Sequence, residues 1–294
     1  MASRSTSSTR RLGVLAQTLL PAAPAATSGG PMDIDLSGRL CLVTGAGHGI
    51  GKHVAALLTG LGGTVYGCDI KFDDFGAPLD GKDLEVELAD TAEVDITDQA
   101  SVKSWVARAE AEHGGAVYIL VNCAGGVGGN PSRGEEGWEP VEEVTLAKFQ
   151  KLFDINVVGV LHTSGAVAPG MKKAGEGKIV NISSGAGLRP SLTNIQGYTT
   201  AKHAQIGLTK QLALELGPDG INVNSVAPGF ILSNPSTATQ WEAYTPQQQA
   251  NISNGRFIQR QGHPNDIAHA VAFLCSDFST WISGQVLSVD GGSR

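Results

Sequence analysis

The chain has 294 residues, 41% of them hydrophobic and 17% charged, enough for one large α/β domain or two small ones with a sizeable core. A formal charge of -7 argues against nucleic acid as a partner, and no apolar run reaches the roughly eighteen residues of a membrane span. Abundant glycine (39) with few aromatics (5%) suits a parallel sheet with tight strand-to-helix turns better than a β-sandwich.

Residues 1–31 differ from the rest. They carry Arg4, Arg10 and Arg11, many Ser and Thr, a Pro/Ala stretch, and no acid before Asp33. A transit or export segment would have this composition, and Thr9-Arg10-Arg11 resembles a twin-arginine signal. Pro21 and Pro24 break the apolar patch, which makes it a poor signal core. A disordered extension outside the fold, or a true start at Met32, is the expected reading, with the domain running from Met32 to 294 in the cytoplasm.

Leu40-Cys41-Leu42-Val43 reads as a buried strand. It runs into Thr44-Gly45-Ala46-Gly47-His48-Gly49-Ile50-Gly51 and then a helical stretch. Glycines in such a turn let the backbone approach a pyrophosphate, and the helix N-terminus offers free N–H groups and positive dipole. The next strand, TVYGCDI, ends in Asp69, where a carboxylate can accept hydrogen bonds from both adenosine ribose hydroxyls and repel a 2′-phosphate. NAD is therefore expected over NADP, although Lys71 keeps NADP open and His48 adds no reliable charge at neutral pH. A third strand brings Asp95 and Ile96 to its carboxyl end, placed for an adenine ring; Asp95 or Thr97 reads equally as the N-cap of the following helix. The strand VYILVN then ends at Asn122-Cys123-Ala124-Gly125.

Tyr198 and Lys202 lie four apart, one helical turn on the same face, and Ser184 lies fourteen residues upstream of the tyrosine. An ammonium there can stabilise a phenolate and bring its pKa down from about 10, so that the phenol exchanges a proton with an alcohol or carbonyl oxygen. Taken alone, the pair also fits an ordinary solvated helix face. The four cysteines (Cys41, Cys68, Cys123, Cys275) form no CxxC pair, and the seven histidines form no HxxxH or HExxH pattern. Free thiols are expected, and no metal site.

TGAGHGIG, NCAG, Asn156 in FDINVVG, ISS with Ser184, YTTAK, VAPG and SGQVLSVDGG occur in an order that resembles the short-chain dehydrogenases/reductases over about residues 34–294. The resemblance implies one domain, a Rossmann-like doubly wound α/β fold with about seven parallel strands and helices on both faces, and a homotetramer or homodimer. It implies Gly45, His48, Gly49, Ile50 and Gly51 at the pyrophosphate, Asp69 on the ribose, and Asp95 and Ile96 at the adenine. Asn122, Ala124 and Gly125 would line the nicotinamide ribose, and Pro228, Gly229, Ile231 and Ser233 would hold the carboxamide. Tyr198 is similar to the acid/base, Lys202 to the residue that binds ribose and lowers the tyrosine pKa, and Ser184 rather than Ser183 to the substrate-polarising serine. Asn156 is similar to the asparagine that holds a helix distortion and a water. Cys123 stands where asparagine is commoner, and Ser233 where threonine is usual.

The implied activity is NAD(H)-dependent interconversion of a secondary alcohol and a ketone. Polar Arg189, Ser191, Asn194 and Gln196 before Tyr198 lean towards a sugar, polyol or other small polar substrate, hydroxylated or anionic. Two further stretches are candidates for the substrate end: 126–144, with Arg133 and Trp138, and 231–262, with Trp241, Tyr244 and Phe257. The latter reads as a lid or as a plain solvated helix–loop. A 3-ketoacyl thioester reductase is the alternative among enzymes, and a catalytically silent dinucleotide-binding sensor or scaffold the alternative of another class. Asp266, in RQGHPND, is expected to cap a late helix.

Overall fold

The computed structural model describes residues 33–72, 87–127, 140–191 and 194–292. The tail 1–31 and most of the 126–144 stretch, including Arg133 and Trp138, lie outside them. Seven strands form one parallel sheet: β1 (Leu40–Thr44), β2 (Thr64–Asp69), β3 (Asp90–Glu93), β4 (Ile119–Asn122), β5 (Gly177–Ile182), β6 (Ile221–Pro228) and β7 (Val286–Val289). Their order is β3-β2-β1-β4-β5-β6-β7. The order reverses on either side of β1, and that switch point opens a crevice at the carboxyl ends of the strands.

Period-two alternation gives each face its own core. On β1, Cys41 and Val43 join Val54 and Leu58 of α1 (Gly49–Gly60) and Ile267 and Val271 of α8 (Pro264–Cys275). Leu40 and Leu42 join the opposite cluster, with Trp105 of α2 (Gln99–His113), Val167 and Met171 of α4 (Gly159–Ala174), and Leu212 and Leu216 of α5 (Gln196–Leu216). Strands buried on both faces carry near-continuous apolar runs, as ILVN and LCLVT do. The register aligns Thr44 with Cys68 on one side and with Asn122 on the other, so neighbouring strands end level beside the crevice.

The helix after β3 is capped by neither Asp95 nor Thr97. Asp98 accepts from the Ala100 N–H, 2.9 Å, and is the N-cap of α2. Asp95 instead accepts from the N–H and hydroxyl of Thr97, 2.8 and 2.7 Å, which turns the chain just before the cap. The 231–262 stretch is a pair of nine-residue helices, α6 (Pro235–Ala243) and α7 (Pro246–Asn254), each with a capping box and a proline in its first turn. Asp266 accepts from the His263 N–H, 2.8 Å, closing the capping box of α8, and holds Arg260 through two 2.7 Å bonds. Among the described residues no helix is long and apolar enough to cross a membrane.

Candidate active site

A continuous cleft of about 1460 Å³ runs along the strand ends. It is larger than the several hundred cubic ångströms of a typical single-ligand pocket and has room for a dinucleotide and a second molecule. At one end, Gly45 has φ +68, and a Cβ there would sit 2.8 Å from the Ala124 backbone nitrogen. A Cβ on Gly51 would collide with the Gly45 carbonyl. Helix α1 therefore starts flush against the turn, and its N-cap, His48, makes no side-chain capping bond. Gly49, Ile50 and Gly51 of its first turn line the cleft, and the free N–H groups of a helix start suit an anion.

Asp69 closes this end. Its Oδ2 accepts from the Gly47 N–H at 3.1 Å and lies 3.4 Å from His48 Nδ1, and its Oδ1 accepts from the Ile70 N–H at 2.8 Å. Each oxygen keeps a lone pair for a further donor. His48, Gly49, Ile50, Asp95, Ile96, Ala124, Gly125, Pro228, Gly229, Ile231 and Ser233 all line the cleft. Asn122 does not. It is buried beneath the floor, where its Nδ2 donates to Asn181 Oδ1 at 2.8 Å and its Oδ1 accepts from the Thr163 hydroxyl at 2.6 Å. The sequence places Asn122 correctly at a strand end, but the pleat turns its side chain inward.

The reactive groups meet at the middle. β5 delivers Ser184, and α5 delivers Tyr198 and Lys202. Ser184 is hydrogen-bonded to Tyr198 and accepts from the Ala186 N–H at 3.1 Å. Ser183 is occupied differently: its hydroxyl donates to the Val226 carbonyl at 3.1 Å and accepts from Ser225 at 2.7 Å. Ser184 is thus the serine presented to a ligand. Lys202 is buried, with Nζ 5.6 Å from the Tyr198 ring centre. Nζ donates to the Ile182 carbonyl at 2.9 Å and to Gln205 Oε1 at 3.1 Å. Burial pulls the lysine down to about 8. The expected depression of the tyrosine is not found: burial pushes the Tyr198 phenol above its ordinary value, and the bond to Ser184 opposes that rise.

Asn156 lies in a π-helical turn, Asp154–Val158, between α3 (Leu146–Phe153) and α4. Its Nδ2 donates to the Leu152 and Gly126 carbonyls, both at 2.9 Å, and its Oδ1 accepts from the Gly126 N–H at 3.1 Å. A widened turn shifts its backbone bonds by one residue, and the asparagine amide takes up the group left over. The result ties the chain after β4 to the base of α4.

Gln205 was missed in the sequence. It sits three residues after Lys202 on the same helical face, is fully buried, and presents Oε1 because an ammonium offers only donors. At the far end, Arg189, Ser191, Tyr244, Gln248, Asn251, Arg256 and Asp290 line the cleft. Trp241 stacks on Phe230 at 5.6 Å and supports that wall without lining it. Asn194 and Gln196 do not line the cleft, and neither does Phe257, which is 65% exposed and packs beside Gly292. Cys123 does line it, as a free thiol that burial raises to about 12. Among the described residues no cluster of His, Cys, Asp and Glu could hold a metal ion.

A family profile described as Enoyl-(Acyl carrier protein) reductase matches residues 45–294. The chain is 34% identical over 260 residues to 7alpha-hydroxysteroid dehydrogenase of Escherichia coli K12, covering 88% of this chain and 96% of that protein. It is 34% identical over 261 residues to the 3-oxoacyl-(acyl-carrier-protein) reductase FabG of Thermotoga maritima, covering 87% and 98%. A solved 7 alpha-hydroxysteroid dehydrogenase, complexed with NADH and 7-oxo glycochenodeoxycholic acid, superposes with a TM-score of 0.76 at 32% identity, covering 90% of this chain and 98% of that one. The strand order, the glycine turn and the Ser184–Tyr198–Lys202 cluster agree with these likenesses. The chain is an oxidoreductase-type member of the short-chain dehydrogenase/reductase family.

Proposed function

We propose that the protein interconverts a secondary alcohol and a ketone with NAD(H), acting on a small polar substrate such as a sugar, polyol or related molecule. The observation that carries this reading is the convergence of Ser184, Tyr198 and Lys202 midway along a cleft whose other end holds Asp69. The glycine turn, whose Gly51 leaves no room for a Cβ, fits a pyrophosphate, and the open lone pairs of Asp69 fit a ribose diol. A nicotinamide dinucleotide supplies the hydride acceptor or donor.

The residues of the chain do the rest. Ser184 holds the reacting oxygen by hydrogen bond. Tyr198 takes the hydroxyl proton during oxidation and returns it during reduction. Lys202, poised near 8, supports the phenolate while it carries its own proton. Asn156 keeps Gly126 and the segment after β4 in place beside Lys202. The exposed side chains of Trp281, Phe278 and Leu287 beside β7 support self-association, a tetramer or a dimer.

The 3-ketoacyl thioester reductase reading has one observation in its favour, the likeness to such a reductase in sequence. Asp69, which disfavours a 2′-phosphate, stands against it. A plate screen offering NAD and NADP with sugars, polyols, hydroxy acids and aryl alcohols, and NADH and NADPH with a ketoacyl thioester, separates the two. Turnover with NAD on a small polar class supports the proposal; turnover confined to NADPH and the thioester overturns it.

A further inference from the structure

At the substrate end of the cleft, two guanidinium groups face one carboxylate. Arg189 follows the Ser184 turn, and its Nη2 donates to Asp290 Oδ2 at 3.1 Å. A Cβ on Gly185, the residue after Ser184, would lie 3.7 Å from that same Nη2. The cation therefore stands beside the serine that holds the reacting oxygen. Asp290 is nearly buried and also accepts from the Gly292 N–H at 3.0 Å, so it is a fixed anchor rather than a mobile counter-ion. Among the described residues Asp290 uses one of the five donors of Arg189, and the orientation of the remaining fork is set in advance.

The second cation is Arg256, 8% exposed and also lining the cleft. Its Nη1 donates to the Arg260 carbonyl at 3.3 Å and to Gln261 Oε1 at 3.0 Å, and its Nη2 donates to the Phe230 carbonyl at 3.2 Å. All three acceptors are neutral. Asp290 acts on Arg256 only through its field. A buried guanidinium with no carboxylate of its own is costly, and an incoming anion would offset that cost.

We infer that Arg189 and Arg256 receive a carboxylate on the substrate, so the small polar substrate is a hydroxy acid or its oxo acid. A guanidinium fork offers parallel N–H donors that match the two oxygens of a carboxylate. This rests on the dehydrogenase reading for the reacting group, but the anion site can be tested apart from turnover.

The test titrates malonate and malonamide separately into the full chain saturated with NADH, by calorimetry, for the parent, Arg189→Met and Arg256→Gln. In parallel, 2- and 3-hydroxy acids and their methyl esters are offered with NAD. Malonate should bind roughly tenfold to a hundredfold tighter than malonamide, the range expected for a charge-assisted pair. Arg189→Met should erase that preference and raise KM for the acids with little change in kcat. Arg189 is half-exposed, so this variant keeps the test valid if Arg256→Gln fails to fold. Equal binding of malonate and malonamide, or esters oxidised as well as acids, overturns the inference. Malonate preference without oxidation of any alcohol would sink the dehydrogenase reading and uphold the anion site. Oxidation of neutral alcohols without malonate preference would do the opposite.

Discussion

The two ends of the cleft are made from different material. The dinucleotide end is mostly backbone: a turn in which Gly45 and Gly51 admit no Cβ, the first turn of α1, and one carboxylate held by the Gly47 and Ile70 N–H groups. Its parts lie within one strand–helix–strand unit. The substrate end is made of side chains, and its key contact joins Arg189 to Asp290 across 101 residues. Between them, Tyr198, Ser184 and Lys202 are shared. One end can serve many relatives unchanged because backbone geometry recognises what all dinucleotides have in common. The other end differs with every side chain that reaches it, which separates fold from substrate.

The sharpest way to break this comparison is at the shared centre. Tyr198→Phe removes the proton carrier and keeps the ring. Turnover should fall on the order of a thousandfold, the usual scale of general acid–base catalysis, while dinucleotide affinity stays nearly constant. Steady-state kinetics with a separate binding titration reads both. Activity surviving at about a tenth of the parent would remove Tyr198 from the acid/base role.

At the dinucleotide end, Asp69→Ala should raise KM for NAD roughly tenfold to a hundredfold, the cost of lost bonds to a charged acceptor, with a smaller effect on kcat. The effect with NADP should be smaller or inverted, because the repelling carboxylate is gone. If NAD and NADP suffer equally, the carboxylate serves the turn through Gly47 rather than the ribose.

A finer test concerns Lys202. Gln205→Leu removes an acceptor from a buried ammonium, which disfavours the charged form. The alkaline limb of the kcat–pH profile should therefore move to lower pH than in the parent. A leucine that merely perturbed packing would lower kcat without moving the limb. Folding gives an independent check. With Lys202 lowered from 10.5 to about 8, the unfolded chain binds more protons between those values. Stability relative to a Lys202→Met variant should then rise as pH climbs through that window, read from denaturant midpoints.

The same contrast explains what the sequence could reveal. β1, the glycine turn, Asp69 and the Tyr198–Lys202 pair are local patterns, and each stands where its spacing predicts. Asn122 shows the limit of that reasoning: its position at a strand end was legible, but its inward direction depends on pairing with Asn181 of the neighbouring strand. Asp98 rather than Asp95 caps α2 because three acceptors within four residues compete for one helix start, and spacing alone does not rank them. Gln205 could have been found from its i+3 offset to Lys202. Arg256 and Asp290 could not, since nothing local ties either to Ser184. The rise of the Tyr198 phenol was also hidden, because motif spacing carries no measure of burial.

The smallest expected effect lies outside the cleft, where α8 begins. Arg260 and Asp266 form a bidentate pair on the side of the loop that carries Arg256. The Arg260 hydrogen bonds hold the Asp266 carboxyl at about 2, below its unfolded range, so its contribution is full above about 4 and is lost as pH falls through 2. Both partners are substantially exposed, and solvent screening limits the gain, so Asp266→Asn should cost no more than about 1 kcal/mol at neutral pH. The asparagine keeps an acceptor for the His263 N–H, so the cap survives in part. Denaturant midpoints at neutral and strongly acidic pH should show that small difference closing on acidification, while kcat/KM stays within about twofold, because the site is off the lining. A catalytic loss that outran the stability loss would mean that the turn fixes Arg256 as firmly as Asp290 fixes Arg189. The substrate end would then be as preorganised as the glycine turn.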